Sequence, residues 1–244
     1  MRSINHSARL TTATLLALLL GSYLYSTGAN AAAGHSNISK VNGRIQIEAN
    51  DAVGNVSTVN GRINIAHGAT AGRVKTVNGG INLERDTEVA RLETVNGDIE
   101  VASNVRVSGS MSTVNGAIDV GQNVRVQGTV KTVNGDIRLD SDSFVAKEIQ
   151  STNGDVRLYN SEVGQNLVSS NGDVTLTGNT IVNGDIIYKN KRRWWNKLFN
   201  FGFNRDPLLT IDETSIVRGD IHLYHRVDLD IADEADVGEV IYHY

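Results

Sequence analysis

The chain has 244 residues, is 40% apolar but only 5% aromatic, and carries a formal net charge of −4 at neutral pH. With 24 Gly, one Pro and no Cys, it excludes a disulfide framework, a Cys-ligated zinc or iron–sulfur site, a thiol nucleophile and a Cys-anchored lipoprotein. The lack of a basic field argues against nucleic acid as a partner, and no cofactor is expected.

Residues 1–31 read as a signal peptide. Arg2 and Arg9 give a basic start, and no further charge appears before Lys40. The apolar stretch Leu15-Leu16-Ala17-Leu18-Leu19-Leu20 follows, and Ala29-Asn30-Ala31 supplies an A-x-A cleavage pattern. The apolar run over residues 10–25 is shorter than the roughly 20 residues of a spanning helix, which favours cleavage over anchoring. The expected location is the periplasm or the cell surface. Cleavage takes away two Arg and no acid, so the net charge moves from −4 to −6.

Residues 32–188 are dominated by a repeat. Asn-Gly pairs begin at Asn42, Asn60, Asn78, Asn96, Asn115, Asn134, Asn153, Asn171 and Asn183, and all gaps but the last are 18 or 19 residues. Most units read Thr-Val-Asn-Gly-x-Ile-x-(Val/Leu). An isolated Asn-Gly suggests a hairpin turn, but the apolar pattern inside each unit decides otherwise. In one unit the predicted inward residues are Val95, Ile99, Val101, Val105, Val107 and Met111; in the next they are Val114, Ile118, Val120, Val124, Val126 and Val130. Short alternating stretches make strands with one face inward. Three such sides in 18–19 residues predict an all-β fold, a single-stranded parallel β-helix forming a triangular solenoid. At each corner Gly is expected to supply a positive φ, and the Asn amides are expected to form a structural ladder from coil to coil.

The Thr-Val-Asn-Gly-Asp-Ile units behind a signal peptide resemble the bacterial exported β-strand-repeat proteins described as adhesins, of the right-handed β-helix type. That resemblance spans roughly residues 40–188 and implies export and a surface role. The triangular coil is more weakly similar to bactofilins, which implies polymer formation. Neither family offers catalytic residues to carry over.

An insertion at residues 189–207 breaks the repeat. It holds the basic residues Lys189, Lys191, Arg192, Arg193, Lys197 and Arg205, with Trp194, Trp195, Phe199, Phe201 and Phe203 among them, and Pro207 closes it. Without these six charges the cleaved chain would carry −12, so charge is sharply segregated. One reading is a flap over the solenoid's flank or end, because exposed coil edges need covering. A second is contact with an envelope membrane surface, since such residues favour anionic interfaces. A third is a glycan or protein partner. The flap is slightly favoured.

Residues 208–244 resume strand-like alternation and are expected to form further coils and a cap. Asp98, Asp136, Asp155, Asp173, Asp185 and Asp220 follow corner glycines, but Arg138 and Arg157 lie on the same outward face, so a solvated charge ladder is favoured over a calcium site. Arg218-Gly219-Asp220 reads as a variant of the Asn-Gly-Asp corner. His222 and His225, near Asp228, are three residues apart on a strand and so face opposite ways; no metal is expected. No catalytic constellation stands apart from the repeat. The expectation is a non-enzymatic envelope or surface scaffold acting by adhesion or self-association. Glycan binding or cleavage and bactofilin-like polymerisation are the alternatives.

Overall fold

A computed structural model describes residues 35–189 and 205–244. The signal-peptide assignment to residues 1–31, and the insertion residues between Lys189 and Arg205, lie outside these. Every described strand pairs in parallel, and the chain winds as a solenoid of ten coils. The first flank stacks ten strands in strict chain order, from Ile45–Ile47 through Ile118–Val120 and Val156–Tyr159 to Asp228–Ile231. The second flank begins in the first residues of Thr70–Lys75 and Glu88–Glu93 and continues from Arg106–Val107 to Asp236–Val237. The third runs from Ile38–Asn42 to Val240–Tyr242. Two long strands, Thr70–Lys75 and Glu88–Glu93, pass from the second flank to the third without a break, so those two flanks share one hydrogen-bonded sheet.

Three-residue strands suffice because most bury their first and third side chains and leave the second half-buried or exposed. Ile63–Ile65 and Ile118–Val120 are of this form. The inward columns are aliphatic and interlock from coil to coil, with Tyr188 as the one large aromatic that is fully buried among the described residues. Register is set by this parity: a slip of one residue would turn every core side chain to water.

Parity also corrects two inward assignments. Met111 and Thr113 point inward while Ser112 and Val114 point outward, and the preceding coil repeats this with Leu92, Thr94 and the outward Val95. The inward place in the Thr-Val-Asn-Gly motif therefore belongs to Thr. The buried hydroxyls of Thr76, Thr94, Thr113 and Thr132 donate to glycine carbonyls at 2.9–3.0 Å, which satisfies groups that would otherwise be costly to bury.

The role of glycine is corrected as well. At the corner between the third and first flanks Gly43, Gly97, Gly135 and Gly154 have positive φ, as expected, but Gly61, Gly79, Gly116 and Gly172 do not. What the seven above Gly43 share is close stacking: a Cβ on any of them would overlap the carbonyl oxygen of the glycine one coil below. Positive φ also marks the corner between the first and second flanks, where Asn50, Asp86, Asn104, Asn123, Asp142, Asn160 and Asn179 have φ of 44–67°. Asn and Asp are the non-glycine residues that tolerate this region best.

Candidate functional site

Eight of the nine predicted asparagines form one ladder. From Asn60 to Asn171, each side-chain Nδ2 donates to the Oδ1 of the asparagine one coil below, down to Asn42, at 2.7–2.9 Å. Asn183 is not a rung. It sits at the corner between the second and third flanks, where its Nδ2 donates to Glu162 Oε1 at 2.7 Å. The reason is register: Asn183 follows the second-flank strand Ile181–Val182, and the chain comes back to the ladder corner only after Tyr188, so Asn171 is the last rung among the described residues. A second, shorter amide column went unpredicted: Asn123 donates to Asn104 at 2.9 Å, and Asn104 to Asp86 at 3.1 Å. Its signal was present, since Asn or Asp recurs at 86, 104, 123, 142 and 160.

The insertion is therefore rooted at the upper end of the long ladder. Of its eleven predicted contact residues, Lys189 and Arg205 are described; the other nine lie outside the described residues. Arg205 pairs with Asp173, whose Oδ1 also accepts the Leu208 amide at 2.8 Å. Beneath this root the Tyr188 hydroxyl lies 3.5 Å from the Leu208 carbonyl. Burial pushes its pKa far above the ordinary tyrosine value, and the charges of Asp173 and Asp155 add to the effect. Coil nine pairs directly on coil eight, with Val174 opposite Leu209 and Leu176 opposite Ile211.

The post-glycine aspartates are coil connectors. Oδ1 of Asp98, Asp136 and Asp155 accepts a main-chain N–H from the next coil at 2.8–3.0 Å. Asp185 and Asp220 do the same at the other corner, and the Arg218 guanidinium donates to Asn183 Oδ1. Arg218-Gly219-Asp220 is thus a corner stacked on Asn183-Gly184-Asp185. His222 and His225 are not brought together: His222 Nδ1 lies 3.1 Å from His243 Nε2, and His225 Nε2 lies 2.9 Å from the Ser170 carbonyl. Among the described residues no group of three or more His, Asp or Glu is placed to hold a metal ion.

On the first flank the outward charges make a network. Arg138 donates to Asp119 at 3.0 Å and to Asp136 at 2.6 Å; Arg157 donates to Asp155 at 2.6 Å and to Asp136 at 3.4 Å. The hydrogen bond to Asp119 outweighs some desolvation and raises the Arg138 pKa, with the charges of Asp119, Asp136 and Asp155 adding to it. Beside the network an open depression of about 680 Å³ runs along the flank. Its lining includes Ala102 and Gly121, together with the exposed ring of Tyr159. Aligning the repeats would have exposed it, because the column Glu84, Ala102, Gly121, Asp140, Tyr159 changes from small to aromatic.

The family described as Toastrack DUF4097 matches residues 91–187, a stretch that ends where the insertion begins. No curated protein and no solved structure matches the chain.

Proposed function

We propose that this solenoid, Toastrack-like across its middle coils, is an exported, non-enzymatic scaffold of the bacterial cell envelope that acts by surface contact, in adhesion or self-association. One observation carries the reading: coils eight and nine stack in register on either side of the insertion. The described strands of the stack are thus continuous across the insertion. We read its basic and aromatic side chains as contact groups for a partner, with Arg205 tied to Asp173 at the root, and an anionic membrane surface suits that composition. The polar side chains at the corners are committed to coil-to-coil hydrogen bonds, which supports a structural role for them. Cell fractionation with and without protease added outside tests the reading. The protein is expected in the periplasm or at the surface, and retention in the cytosol overturns it.

Self-association has its own support at the last coil. Leu229, Ile231, Ala235, Val237 and Val240 are only half-buried, whereas their counterparts Leu209, Ile211, Ser215, Val217 and Ile221 are fully buried. Among the described residues the strands of this coil pair along one edge only, and unpaired edges invite another chain. Sedimentation velocity should show growth with concentration, which Val240→Asp suppresses; a concentration-independent monomer removes this second reading.

A further inference from the structure

We propose that the depression on the first flank binds an extended, uncharged glycan strand, with Tyr159 as its stacking platform and the Arg138–Arg157 network as its polar wall. The inference rests on the reading of the solenoid as a contact scaffold and gives that scaffold a ligand class.

Three features define the site. The first is relief. The flank is lined by outward side chains, but at Ala102 and Gly121 almost nothing projects, and the hollow extends from Asn82 to Thr175 across six coils. Five steps of ~4.8 Å give a length suited to a chain rather than a compact molecule. The second is the aromatic. Tyr159 is 54% exposed although it is a large ring in the middle of the stack. Its ring is seated on Gly178, where a Cβ would come within 2.6 Å of it. Held in this way, the ring offers a fixed apolar face with a polar tip, and the C–H face of a pyranose is a natural partner for it. The third is the polar wall. Asp119, Asp136 and Asp155 fix the planes of Arg138 and Arg157. The named bonds use two N–H groups of each guanidinium, which has five, so donors remain for hydroxyls.

Charge and backbone select among ligands. Glu100, Asp119 and Asp140 in the lining offset Arg138 and Arg157, so there is no positive field to collect a phosphate or sulfate chain. A polyol, which both donates and accepts, suits planar groups of both signs. A peptide added as an extra strand needs an unpaired sheet edge, and the strands here are paired on both sides. Pockets of this kind use a few fixed polar groups for orientation and apolar surface for affinity.

Calorimetry on the purified full chain with chitohexaose, cellohexaose and a sulfated oligosaccharide tests the site. At least one neutral hexasaccharide should bind. Tyr159→Ala should weaken it about tenfold or more, Tyr159→Phe should retain most of the affinity, and Ala102→Arg, which fills the hollow from an exposed position, should abolish binding with an unchanged melting temperature. Absence of binding by both neutral sugars at millimolar concentration overturns the proposal. So does binding that Tyr159→Ala and Ala102→Arg leave intact, or binding of the sulfated sugar alone. Because the measurement is made on purified protein, its failure is distinct from a failure of export in the fractionation experiment.

Discussion

Gly116 carries the sharpest constraint on a single position. A Cβ there would overlap the Gly97 carbonyl of the coil below, and that group is backbone, which cannot swing aside as a side chain would. Gly116→Val is therefore expected to cost about 3 kcal/mol or more, read as a large fall in melting temperature by circular dichroism. Thr113 is a subtler case. Its hydroxyl donates to the Gly97 carbonyl at 3.0 Å from a fully buried position. Thr113→Val keeps the shape but strands that acceptor, so a loss of about 1–2 kcal/mol is expected; an unchanged denaturation midpoint would show that the bond is dispensable. Asp212 supplies a pH signature. Burial opposes its ionisation, but hydrogen bonds from Ser215, the Gly178 amide and Thr214 outweigh that and hold its pKa below the ordinary 3.8. The unfolded chain then binds the proton more readily. Stability from this carboxylate is present above the unfolded value and is lost as pH falls through the folded one. Asp212→Asn should flatten the acid limb of stability against pH, and an identical limb would remove the assignment.

At the scale of elements, most coils are three short strands joined by corners with different chemistry, and in two coils a single long strand serves the second and third flanks. The glycine corner is held by close stacking and the amide ladder, the second corner by Asn and Asp at positive φ. The insertion replaces one glycine corner, yet Val174 opposes Leu209 as regularly as Val156 opposes Val174. Replacing residues 189–208 with a copy of residues 170–173 should therefore leave a folded solenoid with the same β-sheet spectrum and a melting temperature equal to or above that of the parent. Unfolding of this variant would mean that the segment packs on the coils and is needed there, as the flap reading holds.

At the scale of the whole molecule, charge is distributed unevenly along the chain. Residues 206–244 hold ten acids against Arg218 and Arg226, while the densest basic cluster, residues 189–205, immediately precedes them. An acidic stretch is repelled by an anionic surface, so any attraction to such a surface must come from the insertion. Vesicles containing phosphatidylglycerol should bind the protein at low salt and release it near 1 M, where the screening length falls to ~3 Å. Replacing Trp194 and Trp195 with Ala should weaken binding several-fold while the melting temperature holds. No binding at low salt would exclude the membrane and leave the glycan site or a second copy as the contact.

The sequence alone determined the coil, its three flanks and the column of asparagines from Asn42 to Asn171. A chain that repeats every 18–19 residues with period-2 strands must stack like residues over like. Only the tertiary structure decided which member of each Thr-Val pair faces inward, since a shift of one residue inverts the choice and both residues favour strands. It also moved Asn183 to another corner, and it showed that positive φ recurs at the Asn and Asp corner while only some of the ladder-corner glycines adopt it. The hollow above Ala102 and Gly121 and the exposed ring of Tyr159 arise in the same way, from residues many positions apart in sequence but adjacent in the stack. Such features belong to the spacing between neighbouring backbones, which local pattern along one strand does not contain.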